Sequence, residues 1–480
     1  MSVAAYVLVD GGLTHGFQKH RPDSGFARIR TCNLADHPAI AGGAMNTPYQ
    51  QNEGGIVALL PDGRVEFLHP AALPLLEAAR AGDAKLPDID DNILSSPLVR
   101  LEQFHLTAPA IAFIELTNLC NLRCKHCYTW SGPKRPNEMT TEKIIGLLDQ
   151  FAESGVLQVF LTGGEIFAHP DAIEIINYAR TKPFSTQIFT NGLLITEEAL
   201  ARITPGTSFF ISFDTADPER TVRGKMDFPK LRSAFEWMKT HGHAFRTAIS
   251  VHRNNVADAE EIFEWCAIND YPQPQWLETR PVGRALLHPG ILLQPDQIDE
   301  VFEVYRRCMD RSSAAPEAEE VGGVASAVAL RSVDTIKFCQ RLERATGQEK
   351  CGRSLVYVNS VGDVFPCSNC MSGGLYRAGS VVDQPFAEIW ANGFDEFRCI
   401  TFDDHNGCQE CPVHNAGIWC QFRCPPLAQN VSRNQKGCGA TEYLRLFMLR
   451  AGAFWEERRK AGVRLTMAPS RPHRAEHTVA

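Results

Sequence analysis

Three cysteines fall within eight positions in the segment LTNLCNLRCKHCYTW, residues 116–130, spaced C-x3-C-x2-C as Cys120, Cys124 and Cys127. Thiolates at such spacing bind soft metals. A structural zinc site normally takes four nitrogen or sulfur ligands, and a cubane iron–sulfur cluster usually takes four thiolates. A set of three therefore has two readings. Either His126 or a distant cysteine completes a zinc site, or one iron of a cluster is left open for a small chelating molecule.

The rest of the chain bears on that choice. It has 480 residues, enough for two or three domains, with 44% hydrophobic and 22% charged residues and a net charge of -8. That balance argues against general disorder and gives no reason to expect a nucleic-acid partner. The opening MSVAAYVLVDGG lacks a basic n-region, so no secretory signal is expected. No apolar run approaches the roughly 20 residues that span a bilayer. A cytoplasmic location follows as the expectation, and in a reducing compartment clustered cysteines read as metal ligands rather than disulfides. Of the 16 cysteines, three lie at 120–127 and nine, besides Cys399, lie between 339 and 438. Cys32, Cys266, Cys308 and Cys399 stand apart and read as buried or free thiols.

The elements that must position these groups are legible in the hydrophobic pattern. Residues 55–80 read as strand, Asp-Gly turn, strand, then helix, a small α/β unit followed by an acidic, Pro-containing connection at 82–91. From 111 onward, six apolar strand patterns (IAFIEL, LQVFLTGG, TQIFTNG, SFFISFD, FRTAISV, QWLETRPVG) alternate with amphipathic helix patterns. This predicts parallel βαβ units, in an open sheet or a partial barrel, with ligands gathered at the carboxyl ends of the strands. Cys120 follows the first of these strands. Residues 312–335 read as a linker, 336–447 as a cysteine-rich region and 448–480 as a basic, solvated tail.

CNLRCKHCY resembles the C-x3-C-x2-C motif of the radical S-adenosylmethionine (SAM) enzymes. In that family three thiolates hold a [4Fe-4S] cluster, SAM chelates the open iron, and reductive cleavage gives a 5′-deoxyadenosyl radical. Other segments match in order. LTGGEIF, with Gly163, Gly164 and Glu165, resembles the motif that receives the SAM ammonium. IFTNG, with Asn191, matches a further strand end. SFFISFD resembles the Ser-x-Asp strand end, which implies Ser212 near the SAM ribose and carboxylate. TRPVGRA, with Val282 and Gly283, matches a segment bordering the adenine, and Tyr128 lies beside the adenine in the same picture. Taken singly, GGE is a plain turn and Ser-x-Asp a polar strand end. Asp214 is a candidate proton acceptor.

The C-terminal cysteines resemble the seven-cysteine SPASM extension of peptide-modifying radical SAM enzymes. Cys351 is followed by ten residues, Gly362, four residues and Cys367; then come Cys408-x2-Cys411-x8-Cys420-x3-Cys424 and, after thirteen residues, Cys438. The eight-residue spacing departs from the usual five. The resemblance implies one auxiliary cluster on Cys408, Cys411, Cys420 and Cys438, and another on Cys351, Cys367 and Cys424. Cys339 is favoured as the fourth ligand of the latter, Cys370 is its rival, and an open position is a third option. Structural zinc sites are the alternative for the whole region. AGSVVDQPFAEIW, ending at Trp390, is similar to the extension's connecting segment.

The expected fold is α/β: a partial (β/α)6 TIM-like barrel at 106–311, a winged-helix-like N-terminal domain at 1–105 and a SPASM domain. The resemblance implies SAM and three [4Fe-4S] clusters as cofactors. It implies a ribosomally made peptide or small-protein substrate with a leader, and an electron donor of the flavodoxin or ferredoxin kind. The layout is similar to that of the maturases of quinohemoprotein amine dehydrogenase, which implies Cys sulfur-to-carbon thioether crosslinks to Asp or Glu methylenes. Formylglycine formation and carbon–carbon crosslinking are the alternatives within the class. A non-catalytic iron–sulfur electron carrier is the alternative outside it.

Overall fold

A computed structural model describes residues 105–314, 350–371 and 373–400, most of 407–460, Cys339, and short segments between 49 and 77. Cys32, the acidic connection at 82–91, most of the expected linker and residues 461–480 lie outside the described residues.

Six parallel strands make the centre: β4 (Ile111–Glu115), β5 (Gln158–Thr162), β6 (Ser185–Thr190), β7 (Ser208–Ser212), β8 (Ala244–Val251) and β9 (Gln275–Glu278). They are hydrogen-bonded in sequence order, and β9 does not close back on β4. The partial barrel therefore stands, and each strand pattern read from the sequence corresponds to one of these strands. Between them lie α1 (Thr141–Ser154), α2 (Ala172–Arg180), α3 (Glu197–Arg202), α4 (Phe228–Thr240) and α5 (Val256–Ile268), and α6 (Ile298–Ala314) follows β9. The first of these helices shows how the sequence sets its limits. Thr140 caps its first turn by accepting from Lys143 N, and Gly155 ends it at φ 83°. Ile144, Leu147, Leu148 and Phe151 form the buried stripe between.

One aromatic residue from each of four neighbouring strands fills the barrel. Phe113 stacks on Phe160, and Phe160–Phe189 and Phe189–Phe210 follow as tilted pairs, with centroids 4.5, 5.2 and 5.2 Å apart. Side chains of successive strand residues point to opposite faces, so two residues further along each strand the chain presents polar groups at the barrel mouth.

The C-terminal region does not stand apart from this sheet. Strand β10 (Leu355–Val358) pairs in parallel with β4, from Leu355↔Ile111 to Val358↔Ile114. Strands β11 (Asp363–Phe365) and β12 (Gly379–Ser380) continue outward antiparallel. Two further contacts fasten it. Trp390, 2% exposed, donates Nε1–H to the Leu106 carbonyl at 2.8 Å. The long helix Glu442–Lys460 packs Phe447 on Tyr305 of α6 at 5.0 Å and donates from Trp455 to the Tyr305 hydroxyl.

That helix crosses the boundary expected at 447/448. Tyr443, Leu444, Phe447, Met448 and Ala451 form a buried face, and the basic run that follows is its last turn rather than the start of a tail. Similarly, α6 extends to Ala314, into the expected linker.

Near the N-terminus β1 (Tyr49–Asn52), β2 (Gly55–Leu59) and β3 (Val65–Leu68) make an antiparallel sheet in the order β1-β2-β3. The hairpin at 55–68 matches the sequence reading; β1 is an addition. Gln50 donates to the Gly155 carbonyl at 3.1 Å, and Asn52 Oδ1 accepts from Thr107 N at 2.8 Å, fixing the sheet against the end of α1.

Candidate active site

The three-cysteine loop is gripped by backbone pairing on both sides. Cys120 N donates to the Gly132 carbonyl and Gly132 N to the Asn118 carbonyl, each at 2.9 Å, which closes the loop at its base. Lys125 N donates to the Val222 carbonyl at 2.7 Å. Arg284, within the TRPVGRA segment, donates Nε to the Cys124 carbonyl at 2.8 Å and Nη1 to the Ser131 carbonyl at 2.7 Å. The Glu138 carboxylate accepts from Thr117 Oγ1 and Asn118 N, each at 2.7 Å.

The GGE segment lies directly against this loop. Gly164 N donates to the Thr117 carbonyl at 2.7 Å and Glu165 N to the Leu119 carbonyl at 2.9 Å. A Cβ on Gly163 would stand 2.6 Å from the Thr117 carbonyl oxygen, and one on Gly164 would stand 2.4 Å from the oxygens of Asn118 and Leu119. These glycines admit the cysteine loop itself. Gly283 is similar: at φ 56°, its Cβ would collide with the Cys127 carbonyl and Tyr128 Cα. Val282 and Gly283 are thus packed beside Tyr128.

Glu165 is 1% exposed and accepts from Thr190 Oγ1 at 2.6 Å, Asn191 N at 2.8 Å and Phe167 N at 3.3 Å. Burial pushes its carboxyl up, against those hydrogen bonds, and among the described residues it forms no ion pair. A buried anion with three neutral donors suits an ammonium ligand. Asn191 reaches the same loop, donating Nδ2 to Asn121 Oδ1 at 2.8 Å. Ser212 ends β7 at the barrel mouth, half-buried.

Tyr128 contacts Tyr357 and Thr162 through its hydroxyl, and burial raises its pKa. Tyr357 belongs to β10 and donates to Glu115 Oε1 at 2.9 Å, while Glu115 Oε2 accepts from Arg135 and Ser360 N, both at 3.1 Å. The fully buried Glu115 is thereby satisfied, and the C-terminal region contributes directly to the mouth of the barrel.

Asp214, the candidate proton acceptor, is 1% exposed with both oxygens engaged. Arg223 donates Nε to Oδ2 at 2.5 Å and Nη2 to Oδ1 at 2.9 Å, and Ser250 N donates to Oδ1 at 2.8 Å. Despite burial, Arg223 holds its carboxyl below the usual range. That is the geometry of a positioning group. Sequence reasoning missed Glu115, which directly precedes the loop, and Arg223, Arg284 and Tyr357, which act on it from remote positions in the sequence.

The thiols fall into three groups. Cys120 and Cys124 are pushed up to about 11 and about 12 by burial; Cys120 also feels Cys127, and Cys124 feels both Cys127 and Cys120. Cys367 is in contact with Cys351, Cys370 and Cys424, its Sγ standing 3.9 Å from that of Cys370. The neighbouring thiols lower its pKa, while burial raises that of Cys370. Cys339, favoured from sequence for this group, points its thiol at the Ser354 carbonyl, 3.8 Å away. Cys408, Cys411, Cys420 and Cys438 interact among themselves as the third group. Cys266 and Cys308 are buried singly in the core, and Cys399 is exposed.

This donor set fits iron–sulfur clusters. The ligands are soft thiols, gathered in groups of three and four.

Residues 114–266 match the family model of the Radical SAM superfamily, and the parallel partial barrel with three cysteines after its first strand is the corresponding fold and site. The chain is a radical SAM enzyme. Residues 350–412 match the SPASM model, an iron-sulfur cluster-binding domain, so the chain carries a SPASM domain beside its radical SAM domain. Mycofactocin maturase MftC of Mycobacterium tuberculosis is 27% identical over 320 residues, 64% of this chain and 77% of its own. The subtilosin biosynthesis protein AlbA of Bacillus subtilis is 31% identical over 191 residues, 38% of this chain and 42% of its own. Streptococcus suis SuiB, solved with its precursor peptide SuiA, shares the fold at a TM-score of 0.60 and 14% identity, covering 83% of this chain and 98% of SuiB. No helix among the described residues is long and apolar enough to cross a membrane.

Proposed function

We propose that the chain is a maturase that crosslinks a ribosomally made precursor peptide, forming thioether bonds between a cysteine sulfur and a side-chain carbon. The observation that carries this reading is the joining of β10 to β4, which puts a SPASM tyrosine, Tyr357, against Tyr128 in the three-cysteine loop. An auxiliary thiol set that includes Cys351 and Cys367 flanks the amino end of that same strand, the end opposite the three-cysteine loop. The printed names of MftC, AlbA and the SuiB–SuiA complex support a peptide substrate.

In this reading Cys120, Cys124 and Cys127 hold the SAM-binding cluster. Gly163, Gly164, Glu165, Asn191, Ser212, Val282 and Tyr128 surround SAM. Cys351, Cys367, Cys370 and Cys424 hold one auxiliary cluster, and Cys408, Cys411, Cys420 and Cys438 hold the other. When bound, a reduced cluster with SAM would supply hydrogen-abstracting radical chemistry, and the auxiliary thiol sets would hold clusters able to take an electron. The polypeptide's part is to orient and to exclude water. Glu165 offers a buried anion to the SAM ammonium. Tyr128, fixed through Tyr357 and Glu115, offers a flat apolar face to the adenine. In this reading a leader peptide adds as a strand to the β1–β3 sheet.

Mass analysis of small cysteine-containing proteins encoded nearby, after anaerobic incubation with enzyme, SAM and reductant and then thiol alkylation, tests the bond type. Thioether formation predicts loss of two hydrogens per event with one cysteine per event becoming unreactive. The same loss with every cysteine still alkylated would replace it with carbon–carbon bonding or oxidation to formylglycine.

A further inference from the structure

A buried ion pair stands directly behind the middle cysteine of the trio. Arg223 is 7% exposed, and its guanidinium makes two-point contact with Asp214 and a third, at 3.4 Å, with Ser250 Oγ. The same guanidinium contacts the thiol of Cys124. Asp214 is fixed in turn: Ser250 N donates to its carboxylate, and Asn255 Nδ2 donates to its main-chain carbonyl at 3.0 Å. His126, in the cysteine loop, faces Asp214 from the other side at 3.9 Å and stacks over His252 at 6.5 Å. The Arg223 fork is therefore held in one orientation by a carboxylate that cannot turn away.

Around Cys124 the guanidinium is the strongest charge, ahead of Cys127, Cys120 and Asp214. A cation hydrogen-bonded to a cluster thiolate draws charge from the iron–sulfur bond and favours the reduced cluster, because hydrogen bonds to sulfur and local charge set cluster potentials.

We propose that Arg223 is a positioning residue for the SAM-binding cluster: locked by Asp214 against the Cys124 sulfur, it raises the cluster's reduction potential, and Asp214 offsets part of that effect. The role concerns one-electron reduction by an external low-potential donor, with the electron residing on the cluster and no proton moved by the ion pair. It rests on the assignment of Cys120, Cys124 and Cys127 to the SAM-binding cluster.

The test is a redox titration of the full-length, anaerobically reconstituted protein, followed by electron paramagnetic resonance. The signal to follow is the one that changes shape when SAM is added, which separates this cluster from the auxiliary ones. Arg223→Gln is expected to move the midpoint to more negative potential and Asp214→Asn to more positive potential, since the latter leaves the guanidinium unopposed. Should the Arg223→Gln chain fail to accumulate with iron, the charge-neutral double variant Arg223→Gln/Asp214→Asn is expected to titrate below wild type. Unchanged midpoints, or single variants that shift in the same direction, would overturn the proposal. Absence of any SAM-responsive signal in the wild type would instead overturn the cluster assignment beneath it.

Discussion

Gly164 shows how little of a motif's chemistry lies in its side chains. A methyl group there would press on two carbonyl oxygens at 2.4 Å, both part of the cysteine loop's own backbone. Gly164→Ala is therefore expected to cost about 1–3 kcal/mol, as overpacking does elsewhere, and to lower iron content with Cys120, Cys124 and Cys127 intact. Iron per chain measured after reconstitution, beside a thermal melt, checks this; full iron loading at unchanged Tm would contradict it. Cys370 and Cys339 give a second test at this scale. Iron analysis should show Cys370→Ala losing about one cluster's iron and Cys339→Ala keeping it, and the reverse result would restore the ligand favoured from sequence. The resemblance of the cysteine and GGE motifs to the radical SAM and SPASM patterns implied the three thiol groups, Glu165 and Tyr128. Arg223 and Tyr357 were not legible, because the first lies about a hundred residues and the second over two hundred residues from the loop they serve.

At the scale of elements, the six strands and their helices could be read because apolar runs and capping residues such as Thr140 and Gly155 agree with each other. The joining of β10 to β4 could not, since a four-residue apolar run carries no mark of its partner. The helix Glu442–Lys460 was obscured by its charged last turn. The seam around Trp390 has a measurable pH signature. His105 packs edge-on to Trp390 and donates Nδ1–H to the Leu106 carbonyl at 2.9 Å. Burial first, then Arg398, lowers its pKa from 6.5 to about 4. The unfolded chain binds that proton more readily, so stability is full above about pH 6.5 and falls as pH drops toward 4. Melting temperatures across that interval should fall for the wild type and fall less steeply for His105→Gln. Parallel curves would show that His105 is not responsible.

For the whole molecule, the SPASM region extends the barrel's own sheet through β10 on β4. Tyr357, Trp390 and the C-terminal helix each bind barrel residues, so the distance between the open three-cysteine loop and the Cys367 group is set by strand pairing.

The central claim is that Cys120, Cys124 and Cys127 hold a cluster with one iron open to SAM. Its most direct test is 5′-deoxyadenosine release from SAM by the chemically reduced protein, comparing wild type with Cys124→Ala at matched occupancy of the other clusters. The wild type should release it and Cys124→Ala should release none above background. Equal release by both would contradict the account.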